Sequence, residues 1–215
     1  MSDTKMRLRH SPTSPFVRKV LAFAHECKLA DRIEIVPTWT WDPATDLVKD
    51  NPLGRIPTLI TSDGTFIGSL FCCEYLDTLH GLSKMIPPPG PDQWQAIKCY
   101  YLADGILEVA VASVTETNQR PPETIYPPFL ARQRGKIERA LAALEDMLLP
   151  ITEPVHLWAL TLGCALGYLD FRLPEIDWQS KHPKLNAFYD SIMRRQSMQM
   201  TQPRPRMPQP TGGSE

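Results

Sequence analysis

The chain of 215 residues lacks a long apolar run, an excess of one charge, and a recognisable targeting segment. No stretch reaches the ~18 apolar residues that a membrane-spanning helix requires, and the start has no apolar core of a signal peptide. With 23 basic and 24 acidic residues, the formal net charge of −1 gives no electrostatic reason to expect nucleic acid or an anionic membrane as a partner. We therefore expect a soluble, cytoplasmic protein.

The cysteines also lack the spacings that mark redox or zinc sites. Their number is odd, and neither a CxxC pair nor a Cys/His zinc pattern is present. Most of them lie within apolar segments, which predicts buried, reduced thiols and no bound metal. The five residues are Cys27, Cys72, Cys73, Cys99 and Cys164.

Hydrophobic periodicity divides the chain into two parts. Residues 6–79 alternate between strand and helix patterns, in the order β-α-β, an irregular stretch, then β-β-α. A turn at Ser62-Asp63-Gly64 predicts a hairpin between the last two strands, and helical spacing covers residues 15–29 and 69–79. The sequence therefore predicts a small α/β domain over residues 1–83.

The second part begins after a proline-rich segment. "KMIPPPGP", residues 84–91, cannot form the interior of a helix and predicts a stiff linker. Residues 92–203 then read as an all-helical domain, with helices over 92–118, 128–149 and 155–171 and a last one opened by Pro183. The third is apolar almost all round, which indicates a central buried helix. Residues 204–215, rich in Pro, Gln and Gly, predict a disordered tail.

A serine precedes the first predicted helix. Ser14 followed by Pro15 is typical of an N-cap and first helical residue, so Ser14 either only caps the helix or also helps it bind an anion. A thiolate is an anion that such a helix start can bind. The helix end stabilises the anion by roughly 0.3–1 kcal/mol, which lowers the pKa of a thiol by about one at most, and a hydrogen bond from a hydroxyl lowers it further. No GxSxG motif makes Ser14 a nucleophile, and no cysteine stands there for dithiol redox chemistry.

Two further segments of the first part suggest peptide binding. In "NPLGRIPTLI", Pro57 stands at the first position of a predicted strand, and a cis Ile56-Pro57 bond would turn the Ile56 N–H and C=O outward to pair with an extended peptide. In "DGTFIGSLFCCEYLD", Ser69 opens the next helix. Ser69 is either a plain cap or a second anion site at a helix start.

These segments together resemble the cytosolic glutathione transferases. The resemblance rests on "SPTSPFVRKV", "NPLGRIPTLI" and "GSLFCCEYLD", and in the second part on "ADGILEVAVASV" and "LGCALGYLDFRLPEIDW…HPKL". It runs from about residue 6 to residue 203 and is greatest with a bacterial serine-type branch that carries "TSPFVRK". The family implies a thioredoxin-like N-terminal domain, an all-helical C-terminal domain, a homodimer, and glutathione as a substrate.

The resemblance also implies roles for single residues. Ser14 takes the thiol-activating position, with Ser11 as the alternative hydroxyl. Ile56, before cis-Pro57, takes the position whose main chain pairs with the cysteinyl part of glutathione. Ser69 takes the position that binds the γ-glutamyl carboxylate.

Two positions depart from the family pattern. Gly68 stands where the family usually has an acidic residue, which would pair with the α-amino group of glutathione. Loss of a charge-assisted bond costs roughly 1.5–3 kcal/mol, a factor of about ten to a hundred in affinity. At the start of the central helix, His156 begins a stretch where many relatives have a Ser/Thr-x-x-Asp capping box, which weakens a folding signal.

The resemblance implies that the second substrate lies between the two domains, in a pocket lined by the loop after the first strand and by the first helices of the second domain. The candidates for this pocket, as either lining or core residues, are Phe16, Trp39, Trp41, Tyr101, Ile106 and Val109. Asp104 lies within an apolar helix and is either a buried structural carboxylate or a residue of the cleft.

The sequence is compatible with three functions. The first is an enzyme that conjugates the glutathione thiolate to a small hydrophobic electrophile without a metal, as in detoxification. The second is a transferase-like binding or interaction protein with an eroded site, which Gly68 favours. The third is a glutathione-dependent reductase or lyase, and the absence of a cysteine at position 14 argues against the reductase.

Overall fold

Four short strands form one mixed sheet at the start of the chain. They are β1 (Met6–His10), β2 (Ile33–Pro37), β3 (Thr58–Thr61) and β4 (Gly64–Ile67), in the spatial order β2-β1-β3-β4. Strand β1 runs parallel to β2 and antiparallel to β3, and β3 and β4 form the predicted hairpin. The structure is a computed structural model that describes residues 5–205, so most of the predicted disordered tail lies outside the described residues.

Three helices accompany the sheet: α1 (Pro15–Glu26), α2 (Leu47–Asp50) and α3 (Ser69–Thr78). Helix α1 buries Val17, Val20 and Phe23, which recur at helical spacing, against the core. It ends at Glu26, earlier than the predicted residue 29, because Lys28 takes a left-handed backbone conformation with φ 58° that no helix can continue. Helix α2 was not predicted, since four residues are too few to show a helical period.

In the part of the second domain that the structure describes, up to residue 205, there are six α-helices: α4 (Pro91–Gln119), α5 (Pro127–Met147), α6 (Leu157–Arg172), α7 (Trp178–Lys181), α8 (Pro183–Ile192) and α9 (Gln196–Met200). Residues 157–169 of α6 are all buried, as the apolar sequence predicts for a central helix, and α6 packs against both α4 and α1. The predicted fold, a thioredoxin-like domain followed by a helical one, is confirmed, and 58% of the described residues 5–205 are helical. Within residues 5–205 no helix is both long and apolar enough to cross a membrane.

The predicted linker packs against the helical domain. Met85 is buried, and its carbonyl oxygen accepts a hydrogen bond of 3.0 Å from the amide of Leu157, in the first turn of α6. The N-cap residue of α6 is His156, whose side chain makes no capping hydrogen bond. The backbone of Met85 therefore satisfies one of the helix-start donors that a capping box would otherwise serve. Helix α4 already begins at Pro91, the last residue of the predicted linker.

An ion-pair cluster ties the end of α1 to the C-terminal helices. The Arg195 guanidinium donates to both carboxylate oxygens of Glu26, at 2.8 and 2.9 Å, and also contacts Glu153. Ser197 donates a third hydrogen bond to Glu26. Burial would raise the pKa of Glu26, but the hydrogen bonds from Arg195 and Ser197 outweigh burial and lower it. The carboxylate therefore stays charged as part of the link between the domains.

Gly163 of α6 lies in close contact with two side chains of the helices that follow. A Cβ atom at this position would lie 2.9 Å from Met198 Cε and 3.0 Å from Ile192 Cγ2, and both of these side chains are fully buried. We expect Gly163→Ala to lower the free energy of unfolding by about 1–3 kcal/mol through overpacking, measured by urea denaturation. Gly105→Ala is the matched control, because a Cβ there meets no atom within 4 Å.

The control substitution should be neutral or stabilise by roughly 0.5–1 kcal/mol, since alanine is the better residue in a helix interior. Equal effects of the two substitutions would contradict this description of the α6 packing.

Candidate active site

Sheet pairing brings three distant segments to one edge. Thr58 pairs with Arg9 near the end of β1 and with Ile67 at the end of β4. Residues 11–14, residues 56–57 and residues 68–69 therefore leave or enter the sheet side by side, within neighbouring strand spacings of about 4.8 Å. These are the three segments that the sequence analysis selected.

Ser14 is the N-cap residue of α1. Its Oγ accepts a hydrogen bond of 3.3 Å from the amide of Val17, and its own amide donates to the Ser11 carbonyl at 3.1 Å. Within residues 5–205 the Ser14 hydroxyl donates no hydrogen bond, so its proton is available to a ligand. Pro15 has no N–H, and Phe16 is the first-turn residue whose amide has no partner among the described residues.

The alternative hydroxyl has a partner of its own. Ser11 Oγ lies 3.2 Å from Thr13 Oγ1, and both residues are half-buried in the loop before Ser14. This local bond competes with a ligand for Ser11, whereas the Ser14 proton faces no such competition.

The Ile56-Pro57 bond is cis, as the predicted role requires. In the described part of the chain, the Ile56 N–H and C=O make no hydrogen bond, which leaves them free for an extended ligand. The loop is held from behind by Asn51, a buried residue that the sequence analysis did not select. Its amide nitrogen donates to the Arg55 carbonyl at 2.8 Å and to Thr58 Oγ1 at 3.2 Å, and its oxygen accepts from the Leu53 amide at 3.0 Å.

Gly68, and not Ser69, is the N-cap residue of α3. Its φ of 82° lies in the left-handed region, where a glycine is relaxed and a side chain is strained, and its amide donates to the Pro57 carbonyl at 3.1 Å. Ser69 occupies the first helical position, so the alternative that Ser69 is a plain cap is wrong. Among residues 5–205 neither the Ser69 hydroxyl nor the first three amides of α3 have a hydrogen-bond partner. This helix start is therefore ready to accept an anion.

The predicted pocket residues fall into two groups. Trp39, Trp41 and Tyr101 are exposed, and Phe16 and Val109 are half-buried. Ile106 is only 1% exposed and belongs to the core, because it lies on the face of α4 that packs inward. We therefore leave Ile106 out of the pocket.

A buried ion pair joins the two domains behind Phe16. Lys19 of α1 is fully buried, and its Nζ donates to Asp104 Oδ1 at 2.6 Å and to the Tyr100 hydroxyl at 3.1 Å. The same ammonium lies 5.6 Å from the centroid of the Phe16 ring. Burial, followed by the Asp104 charge, raises the pKa of Tyr100, which keeps its hydroxyl protonated. Asp104 is thus the counter-ion of Lys19, a residue that the sequence analysis did not select.

Comparison with known proteins agrees with this geometry. Residues 13–79 match the model of the glutathione S-transferase N-terminal domain, and residues 127–191 match that of the C-terminal domain. The uncharacterised GST-like protein YibF of Escherichia coli strain K12 is 32% identical over 202 residues, which cover 92% of this chain and 98% of YibF. The chain belongs to the glutathione S-transferase family.

Solved structures of bacterial glutathione transferases are similar throughout the chain. One from Pseudomonas fluorescens Pf-5, with bound glutathione, is 37% identical with a TM-score of 0.88 and covers 93% of this chain and 100% of its own. One from Methylobacterium radiotolerans, in complex with glutathione sulfonate, is 31% identical with a TM-score of 0.85. The match covers 96% of this chain and 99% of that one. The similarity therefore includes both domains of this family member.

The two partners of the Lys19–Asp104 pair differ in their access to water, so we expect their substitutions to differ in their cost to stability. The Lys19 side chain is fully buried, whereas that of Asp104 is 19% exposed. Asp104→Asn strands a buried ammonium and should cost about 3–5 kcal/mol of unfolding free energy. Lys19→Met leaves a carboxylate that reaches water, so its cost should be smaller.

Urea denaturation of the two single variants and the double variant measures the asymmetry. The double variant should be more stable than Asp104→Asn, because it contains no stranded charge. A Lys19→Met variant as unstable as Asp104→Asn would contradict the assignment.

Proposed function

We propose that this protein is a glutathione transferase of the serine type, which conjugates the thiolate of glutathione to a small hydrophobic electrophile. The proposal rests on three features at one edge of the sheet. Among the described residues they are the Ser14 hydroxyl, which donates no hydrogen bond, the cis Ile56-Pro57 bond, and the start of α3, whose first amides have no partner. Relatives solved with glutathione or its derivatives, at 31–37% identity, support the choice of ligand.

In this proposal glutathione lies across the three segments. The Ile56 N–H and C=O pair with its cysteinyl main chain, beside Pro57, as one more strand added to an edge. The γ-glutamyl carboxylate binds at Ser69 and the free amides of α3, where the helix dipole favours a negative charge. The sulfur then lies at Ser14, which supplies a hydroxyl hydrogen bond at the positive end of α1.

Catalysis follows from stabilising the thiolate and holding it near the second substrate. The thiol gives its proton to solvent, and Ser14 donates a hydrogen bond to the sulfur anion without itself forming a covalent bond. The sulfur forms a bond to the electrophilic carbon while that carbon loses its leaving group. Phe16, Trp39, Trp41 and Tyr101 supply the apolar surface for the electrophile, and proximity of the two substrates lowers the barrier.

We also propose a homodimer in the cytoplasm with a role in detoxification. Exposed aromatic side chains on α3 and α4, namely Phe71 and Trp94, support association with a second copy. The five cysteines are unpaired and buried, which agrees with a reducing compartment.

A binding protein without useful turnover is the second candidate. Gly68 favours it, because no carboxylate stands at this position to pair with the α-amino group of glutathione. Such a protein would be retained on immobilised glutathione but would show negligible conjugation of chlorodinitrobenzene in its wild-type form.

Ser14→Ala tests the proposed catalytic role. We expect kcat/KM for chlorodinitrobenzene to fall about ten- to a hundredfold, as for the loss of a hydrogen bond to a charged group. The apparent pKa of the bound thiol, read from the pH profile of kcat/KM, should rise, since the thiolate loses its donor. Ser14→Thr keeps both the cap and the hydroxyl and should retain most activity.

Ser11→Ala is the control for the alternative hydroxyl and should leave kcat/KM within a few fold of the wild type. Because a lost N-cap costs roughly 0.5–2 kcal/mol, the fold of each variant is checked by circular dichroism. If Ser11→Ala lost its activity while Ser14→Ala kept it, the assignment of Ser14 would be wrong, but the class of enzyme would stand.

Gly68 offers a test of glutathione binding that does not depend on turnover. Gly68→Asp introduces the carboxylate that the family usually has, and Gly68→Asn is its matched control, with the same shape and backbone strain but no charge. Both side chains have room, because a Cβ at this position meets no atom within 4 Å. Calorimetry should show that the Asp variant binds glutathione about ten- to a hundredfold more tightly than the Asn variant. Equal affinities would mean that the α-amino group does not lie at Gly68.

A further inference from the structure

A second cluster of reactive side chains lies outside the proposed active site. Cys27 is the C-cap residue of α1, Asp77 lies in the last turn of α3, and His80 and Met85 follow in the segment before α4. The ligand atoms of Cys27, Asp77 and His80 all lie within 4.8 Å of one another. Sequence spacing could not reveal this group, because Cys27 is far along the chain from the other three residues. We propose that the cluster is a binding site for a soft monovalent metal ion, Cu(I), held by Cys27, Met85 and His80.

The two sulfur atoms have the separation that a shared ion needs. Cys27 Sγ lies 3.6 Å from Met85 Sδ, and both residues are buried. With metal–sulfur bonds of about 2.3 Å, one ion can bind both atoms at an angle close to the tetrahedral one. A thiolate and a thioether together favour copper in its reduced state over hard cations.

His80 supplies an unsatisfied nitrogen. Its Nε2 lies 3.1 Å from Asp77 Oδ1, and because a carboxylate only accepts, Nε2 carries the ring hydrogen in this bond. Within the described residues the other nitrogen, Nδ1, is buried without any hydrogen-bond partner, in a side chain that is 4% exposed. A carboxylate that orients a histidine through its second nitrogen is the usual arrangement around a histidine ligand.

The Lys84 ammonium donates a hydrogen bond to the backbone carbonyl of Asp77, beside the cluster. When Cu(I) binds, the Cys27 S–H bond breaks, the S–Cu bond forms, and the proton goes to solvent.

Residues 81–84, between His80 and Met85, are all exposed. An ion bound here would connect the end of α1, the end of α3 and the segment that leads into α4. It would therefore stabilise the junction that precedes the helical domain.

The test is a copper titration of the reduced full-length protein under anaerobic conditions, without glutathione, in competition with the chelator bicinchoninate. The wild type should retain one Cu(I) per chain, and copper should raise its melting temperature. Cys27→Ser and Met85→Leu should each weaken retention at least about tenfold, as expected for a disrupted ligand shell. Cys164→Ser removes a buried thiol elsewhere in the fold and should retain copper as the wild type does.

Three results would overturn the proposal. Complete transfer of copper from the wild type to the chelator would show that no site exists. Equal retention by Cys27→Ser and Cys164→Ser would show adventitious binding to other thiols. Tighter retention of Zn(II) than of Cu(I), in the same competition design, would refute a monovalent site.

Met85→Leu conserves volume and is expected to keep the fold, so the test remains decisive even if Cys27→Ser unfolds. None of these measurements depends on transferase activity.

Discussion

The pairing of Thr58 with strands on both sides is the constraint on which the candidate site depends. It fixes the register of β1 and β4 relative to β3, and thereby places Ser14, the Ile56-Pro57 peptide and Ser69 at one edge. A shift of one residue in this register would turn the inward side chains of β1 to the opposite face and separate the three segments. The hydroxyl of Thr58 is itself bonded to the Arg55 carbonyl, at 2.9 Å, so the residue anchors both the sheet and the cis-proline loop.

Helix α1 unites the two domains through charged groups as well as through packing. Arg18 donates to the Met198 carbonyl at 3.3 Å, Lys19 pairs with Asp104, and Glu26 pairs with Arg195. All three partners belong to the helical domain. The helix that carries the candidate thiol-binding residue at its start is therefore fixed along its length by the second domain. We therefore expect a movement of the helical domain to be transmitted to Ser14.

The sequence predicted what is encoded locally and failed where distant residues meet. The Ser14 cap, the hairpin at Ser62-Asp63-Gly64 and the buried α6 follow from neighbouring residues and were predicted. Lys19 and Asn51 were not, because their buried partners come from the fold: Asp104 is far along the chain, and the Asn51 hydrogen bonds require the loop to be already closed. The helices α2, α7 and α9 have four or five residues each, too few for a period to appear. Ile106 remained a candidate for either the pocket or the core, because periodicity cannot tell which apolar face of a long helix packs inward.

The full set of hydrogen bonds made by Asn51 has a thermodynamic consequence for ligand recognition. Both amide hydrogens and the amide oxygen of this side chain already have partners in the loop that precedes β3. The Ile56 edge is thus held in place by the loop itself, so a peptide that binds as proposed would not have to order it. A loss of affinity at Gly68, as proposed, would therefore not be increased by an entropic penalty at the neighbouring strand.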